Sequence, residues 1–483
     1  MGKYTLTVRR IGLSAVIAPL VALSNIILLP ILTRNLAIAD YGAFALILIT
    51  LNILPPLAAL GLHNSLIRFG AAAKGKRDVQ ELFYSMGFIV LATSLLISGL
   101  FLLLTPQIAT SLFQNNLAAA LLLVPNILIA CLIFFAWQYF VTFQQIKRYT
   151  WLNLFNAYLE TALVAYFVLA GYGLEGAVIA LLVEQLVVFL IMMYLIVAEI
   201  GFATPKFMHV RQYLNYGLPL IPGSLSGWIV NSSDRYLIAL FLGTAAVGYY
   251  SPGYTAGTTI GMVAAPLSTL LPAVLSKHYD ENNLVDIRTI LTYSLKYYIG
   301  IALPCVFALS VLSKPILLLL TTQQIATNGY LVIPFVAAGT MLIGAYSVLV
   351  TIIALKKKTA VIGTIWMLSA ALNLGLNLVL IPYLGLVGAA LTTFLAFLLA
   401  FVLTTIYSFR YFKFDVNGGF IAKSTSGSII IALFLFLWNP AGLLNIVLAI
   451  ALAAAIYLSI LLALRGFTIR EIKLMYSIYQ GTD

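Results

Sequence analysis

Stretches of about 20 mainly apolar residues, separated by short polar breaks, recur along the whole 483-residue chain, and this pattern constrains the fold more than any other feature. A helix needs about 20 such residues to cross the hydrocarbon core of a bilayer, where no water is available to satisfy an open backbone. The first runs lie near 11–33, 42–66, 83–105, 117–141, 152–170 and 175–198. A second set lies near 214–241, 248–275, 290–312, 330–355, 359–381 and 386–408, and a last pair near 424–438 and 443–464. The expectation is an all-α integral membrane protein of about 14 transmembrane helices, an even number that leaves both ends on one side. Charged residues make up 8% of the chain, against about 25% in soluble domains, so a soluble enzyme is excluded.

The charges orient the bundle. With the N-terminus inside, 23 of the 26 lysines and arginines fall in the two tails and the inner loops, as the positive-inside bias requires. Only Arg34, Arg235 and Lys314 fall elsewhere. The net charge of +12 is therefore mainly a topology signal, not a nucleic-acid surface. The basic residues before the first run also resemble a signal peptide, with Ala22-Leu23-Ser24 as a weak cleavage site, but the run extends to Leu32 and reads as an uncleaved first helix. Cys131 and Cys305 lie far apart inside apolar runs and read as core residues.

The two halves are related. Gly-Tyr-Gly-Leu-Glu-Gly-Ala at 171–177 corresponds to Tyr-Leu-Gly-Leu-Val-Gly-Ala at 383–389, an offset of 212. At an offset of 206, Asn25 and Gly42 correspond to Asn231 and Gly248. An even number of helices per half makes the repeats parallel, related by an axis along the membrane normal. The expected organisation is an N-terminal six-helix lobe over 1–200, a second over 201–410, and an additional helix pair with a cytoplasmic tail over 411–483. Two such lobes facing each other make an alternating-access carrier. Pro19, Pro30, Pro219, Pro222, Pro252, Pro266 and Pro272 interrupt helices one, seven and eight, each removing a backbone donor that lipid cannot replace.

An ionisable group inside the bilayer costs about 2.5–3.5 kcal/mol on insertion scales and therefore faces a cavity or a partner. Helix seven carries Asn231, Asp234 and Arg235, and adjacent residues on a helix point about 100° apart, so Asp234 and Arg235 are not expected to form an ideal pair. Glu160 and Glu184, in helices five and six, are with Asp234 the ion-coupling candidates, since a buried carboxyl can carry a proton. Arg34, Arg68 and Arg235, joined by Asn231, are the substrate-binding candidates, because guanidinium groups suit phosphate. The bland readings are interfacial carboxylates and arginines that reach for the headgroups. His63 has no second histidine or cysteine at ligand spacing and reads as a packing residue. No P-loop, nucleophile elbow, zinc motif or dinucleotide fingerprint occurs, so no cofactor or catalytic residue is expected.

Several short motifs stand together. Leu32-Thr33-Arg34 precedes Asp40-Tyr41-Gly42, Ser65-Leu66-Ile67-Arg68 ends helix two, Asp234-Arg235-Tyr236 lies in helix seven, and the Gly-Leu-x-Gly-Ala turn occurs twice. With the helices arranged six, six and two, the chain resembles the polysaccharide (O-antigen type) flippases of the multidrug/oligosaccharidyl-lipid/polysaccharide exporter superfamily. Ala37 departs from the Gly usual in that family after Arg-x-Leu. The resemblance implies a carrier, not an enzyme, that moves a polyprenyl-pyrophosphate-linked oligosaccharide across the cytoplasmic membrane, coupled to an ion gradient. It implies a lipid-linked glycan, membrane lipids, and a glycan polymerase and glycosyltransferases as partners, and no nucleic acid. Lipid II flippases of the superfamily carry arginines inside helix one, and none occurs here between Arg10 and Arg34. The multidrug antiporters stop at twelve helices and use an acidic site in helix one, where this chain has no Asp or Glu before Asp40. A membrane glycan polymerase or ligase would need a large outer loop, and the longest outer segments, near 106–116 and 313–329, hold one charged residue, Lys314.

Overall fold

The computed structural model describes residues 20–73, 75–113 and 115–466, all helix and connecting turns without a strand. The start of helix one, with Lys3, Arg9 and Arg10, and the tail with Arg470 and Lys473 lie outside the described residues. The helices are α1 (Leu20–Asn35), α2 (Ile38–Ala58), α3 (Leu62–Gly70), α4 (Lys76–Leu103), α5 (Thr105–Leu112), α6 (Leu117–Thr142), α7 (Ile146–Leu169) and α8 (Gly173–Ile200). They continue as α9 (Val210–Gly217), α10 (Ile221–Leu242), α11 (Thr244–Thr258), α12 (Gly261–Asp280), α13 (Leu284–Val311), α14 (Ser313–Leu320) and α15 (Gln323–Gly329). The last four are α16 (Val332–Leu355), α17 (Thr359–Tyr411), α18 (Gly418–Trp438) and α19 (Leu443–Ala463). Ten of these helices are long and apolar enough to cross a membrane, or eleven with α11 and α12 taken as one span bent by 50°. The protein is a multi-pass membrane protein.

Capping and glycine set the helix limits. The side chains of Asn116, Asn283 and Asn417 accept from the backbone N–H groups of Ala119, Asp286 and Phe420, satisfying donors that α6, α13 and α18 would leave open. The expected span 42–66 is divided: α2 stops at Ala58, the chain passes through Leu60 and Gly61 at φ 48° and 72°, and α3 starts at Leu62. A Cβ on Gly61 would lie 2.1 Å from the Gly217 carbonyl oxygen, so this break is a backbone-to-backbone contact with the end of α9. The expected span 214–241 is likewise divided, into α9, a 3-10 turn Leu218–Leu220 and α10. The expected spans 359–381 and 386–408 are joined in α17, whose one non-helical residue is Gly385, at φ 59° and ψ −137°. Gly173, its counterpart in the first half, has φ 60°, so the repeated turn uses a left-handed glycine both times.

Compactness divides the described chain into two units. The first runs to Ser251 and includes Leu320–Thr322 and Ile381–Gly385; the second holds the rest. The first unit is centred on Leu62, Phe83, Met86, Tyr139, Phe140 and Met192. The second is centred on Leu275, Leu291, Tyr298, Val348 and Leu349. In the second unit the Tyr457 hydroxyl donates to the Gly300 carbonyl at 2.7 Å and lies 2.7 Å from the Ser424 hydroxyl, which ties α18 and α19 to α13. The exposed side chains are largely apolar, Leu96, Leu103, Leu437 and Leu444 among them, as expected where the surrounding medium is hydrocarbon. Cys131 and Cys305 are both free thiols.

Candidate functional site

A run of five polar residues, Asn231-Ser232-Ser233-Asp234-Arg235, occupies the middle of α10. Asp234 is fully buried, and its two carboxylate oxygens are both engaged. Oδ2 accepts from the Tyr250 hydroxyl of α11 at 2.5 Å, and Oδ1 accepts from the Arg235 backbone N–H at 2.9 Å. Arg235, 7% exposed, reaches Oδ1 at 3.3 Å while its Nη1 donates to the Asn231 carbonyl at 2.8 Å. Adjacent residues thus do meet, but at a distance longer than the roughly 2.7–2.9 Å of a strong charge-assisted bond, because the helix splays them. The Tyr250 ring lies under the guanidinium at 5.7 Å, and Tyr41 of α2 is within electrostatic reach of it. The Tyr236 hydroxyl meets Thr50 Oγ1 at 2.5 Å, a second link between α10 and α2.

The approach of α2 to α11 depends on two glycines. A Cβ on Gly42 would lie 1.9 Å from the Thr244 carbonyl oxygen, and one on Gly248 would lie 2.3 Å from that of Ile38. A Cβ on Gly42 would also lie 2.9 Å from the Gly248 nitrogen, so the two glycines aligned in the sequence lie side by side.

The other candidates divide into an acidic pair and separate arginines. Glu160 on α7 and Glu184 on α8 lie about equally far in sequence from the Gly171–Gly173 turn that joins these antiparallel helices, and they interact electrostatically. Glu184 is 3% exposed, and its Oε1 has no hydrogen-bond partner among the described residues. Glu160 is half-buried, and neither carboxylate makes an ion pair with a described residue. Arg34, in the last turn of α1, and Arg68, in the last turn of α3, are both exposed. At those positions a cation also complements the helix dipole. Asn231 is exposed, with its Nδ2 donating to the Gly227 carbonyl at 2.7 Å. The structure therefore brings together Asn231, Asp234 and Arg235, and separately Glu160 and Glu184.

Sequence reasoning missed Tyr250, the partner of Asp234. Its signal was the Gly248-Tyr249-Tyr250 string one turn after the helix start. It also missed a buried network in the second unit, where Asn377 Nδ2 donates to Asn373 Oδ1 at 3.0 Å and the Thr392 hydroxyl donates to Asn377 Oδ1. The Asn pair at i, i+4 was the available sign. Among the described residues no group of three or more His, Cys, Asp or Glu could hold a metal ion.

Residues 8–278 match the model of a family described as "Polysaccharide biosynthesis protein". The chain is 29% identical over 238 residues to the "Probable low-salt glycan biosynthesis flippase Agl15" of Haloferax volcanii, a match covering 48% of this chain and 49% of that protein. The chain thus spans about half the length of this curated relative. Among solved structures it is similar to "Lipid II flippase MurJ, inward closed conformation", with a TM-score of 0.74 at 15% identity over 94% of this chain and 98% of that one. It is also similar to the inward-facing conformation of a multidrug resistance MATE family transporter of the MOP superfamily, with a TM-score of 0.65 at 16% identity over 81% and 94%. At these identities the likeness concerns the fold.

Proposed function

We propose, from the premise that the chain belongs to the polysaccharide biosynthesis protein family, that it is a flippase carrying a polyprenyl-pyrophosphate-linked oligosaccharide from the inner to the outer leaflet of the cytoplasmic membrane by alternating access. The observation that carries this reading is the polar run at the middle of α10, where an Asp and an Arg sit inside the helix and Asn231 stays exposed. Such a run is costly in lipid and is retained where a polar cargo passes. The family match supports a transporter over an enzyme, with a polymerase and glycosyltransferases acting on the same lipid-linked glycan.

The finer architecture belongs to the same proposal. The two halves of α17 on either side of Gly385 are each long enough to span. Counting them separately, taking α11 with α12 as one span, and adding α1 and the polar α10 brings the total to fourteen. The lobes are then 1–200 and 201–410 with the pair in 411–483 appended, and both ends lie on the cytoplasmic side. In this orientation the Gly42–Gly248 contact lies toward the outer face. An apolar groove of about 380 Å³ between α13, α18 and α19 suits the prenyl tail.

Arg34, Arg68, Arg235 and Asn231 make up the substrate-binding set. The exposed Arg34 and Arg68 contact phosphate directly, and Arg235, already engaged by Asp234, supplies a fixed positive field. Arg68→Ala is expected to weaken binding of farnesyl pyrophosphate to the purified protein about tenfold, the loss of one charge-assisted bond. Unchanged affinity in isothermal titration removes Arg68 from the site.

Glu184, with Glu160 beside it and Asp234 on α10, forms the ion-coupling set. A buried carboxyl oxygen with no donor is best satisfied as a neutral acid, so Glu184 is the proton carrier. Glu184→Gln is expected to leave transfer at symmetric pH within about twofold of wild type while abolishing its acceleration by a pH gradient. Acceleration equal to that of wild type would assign coupling elsewhere.

A further inference from the structure

The segment between α8 and α9, residues 201–209, forms neither helix nor strand, yet its backbone is fastened along α4. Gly201, at φ 72°, ends α8 and turns the chain toward α4. There Gln80 Nε2 donates to the Ile200 carbonyl, and the Tyr84 hydroxyl donates to the Gly201 carbonyl at 2.7 Å. Glu81 then takes two backbone donors at once: the Lys206 N–H reaches Oε2 at 2.8 Å and the Met208 N–H reaches Oε1 at 3.3 Å. Phe207, between them, is at φ 56°, a conformation that residues other than glycine seldom adopt. A left-handed residue curls neighbouring N–H groups into a concave nest that suits an anion, and the anion here is the Glu81 carboxylate. Two ring contacts run beside these bonds, Tyr84 with Phe202 at 5.6 Å and Phe88 with Phe207 at 5.4 Å. Gln80, Tyr84 and Phe88 recur every four residues, so the anchors lie on one stripe of α4.

The fastening continues through α9. The buried Ser65 hydroxyl of α3 donates to the Tyr213 carbonyl at 2.7 Å, and a Cβ on Gly217 would lie 2.7 Å from the Gly61 carbonyl carbon. α10, with Asp234 and Arg235, begins at Ile221. All these residues belong to the first compact unit. Lys206 and Met208 are exposed, where water would satisfy their N–H groups as well as a carboxylate does. What Glu81 adds is therefore position. Unfastened, the segment would be a flexible tether, and its slack would absorb any movement of α4 before it reached α9.

We propose, resting on the flippase reading, that Glu81 is a positioning residue for transfer. It takes the slack out of the segment between the repeats, so that a movement of α3 and α4 passes through α9 to the polar run of α10. The segment stays on α4 throughout the transport cycle.

The test fastens the segment covalently. Phe88→Cys and Phe207→Cys, both at exposed positions, are combined with Cys305→Ala, and the remaining Cys131 is buried. A short bismaleimide then joins the two new thiols in proteoliposomes. Cross-linking is expected to leave transfer of a fluorescent polyprenyl-pyrophosphate oligosaccharide unchanged from the same protein before cross-linking. Adding Glu81→Ala is expected to speed hydrogen exchange at the Lys206 and Met208 amides and to slow transfer about tenfold, the worth of one charge-assisted hydrogen bond. Cross-linking the Glu81→Ala protein should then restore transfer, which it could not do if the carboxylate served only to keep α4 folded. Transfer stopped by the cross-link would show that the segment must leave α4, and would overturn the proposal. So would Glu81→Ala protein that transfers at the parent rate, or a loss that cross-linking does not restore. Parent protein that moves no lipid removes the flippase reading, and this one with it.

Discussion

Asp234→Ala is expected to lower the unfolding free energy by about 3–5 kcal/mol, because removing one partner of a buried pair leaves the other charge uncompensated. Arg235 would lose the carboxylate at 3.3 Å, and the Tyr250 hydroxyl would lose its acceptor at 2.5 Å, all within a fully buried setting. Thermal unfolding in detergent measures the loss. The double change Asp234→Leu/Arg235→Met is the informative companion. Apolar replacement of a whole buried pair is often neutral for stability, so the double variant should recover most of the loss while remaining inactive in transfer. A double variant that transfers normally would show that the pair serves only the fold.

Gly42→Ala is the second large effect. Its Cβ would lie 1.9 Å from the Thr244 carbonyl oxygen and 2.9 Å from the Gly248 nitrogen, both backbone atoms that no rotamer change can move aside. In a membrane, helices associate through close packing of small residues and not through exclusion of water, so forcing α2 from α11 removes a main source of their attraction. A loss of about 1–3 kcal/mol is expected, with a similar loss for Gly248→Ala from the opposite side. Gly223→Ala on α10 is the control, since a Cβ there meets nothing within 4 Å. Unfolding midpoints for Gly42→Ala and Gly223→Ala that coincide would contradict the close approach.

The sequence revealed what hydropathy and local chain chemistry determine, and tertiary contacts remained hidden. The division of α17 was legible because Gly385 sits in a recognisable turn with a sibling at Gly173. The break at Leu60–Gly61 was not, since Pro55, Pro56 and Gly61 sit in one apolar run and what fixes the break is the Gly217 backbone, distant in sequence. Prolines announced that helix eight is bent, yet the bend falls at Thr259–Ile260, between Pro252 and Pro266 rather than at either. Within the site, the placement of Asp234 and Arg235 on one helix was readable, but their 3.3 Å contact was not, since the splay of adjacent residues pointed to separate partners. Tyr250 and Tyr41 were not readable as their neighbours, nor Thr50 as the partner of Tyr236, because a side chain's partner on another helix leaves no mark in periodicity. The pairing of Glu160 with Glu184 does follow from their equal distance to a tight turn, once that turn is recognised as a hairpin.

The most direct measurement of the central claim is translocation itself. Purified protein is reconstituted into vesicles whose inner leaflet alone carries a fluorescent polyprenyl-pyrophosphate oligosaccharide, and a membrane-impermeant quencher reports its arrival in the outer leaflet. The account predicts transfer well above that of protein-free vesicles, accelerated by a proton gradient. Transfer indistinguishable from protein-free vesicles, with the gradient in either direction, would contradict it.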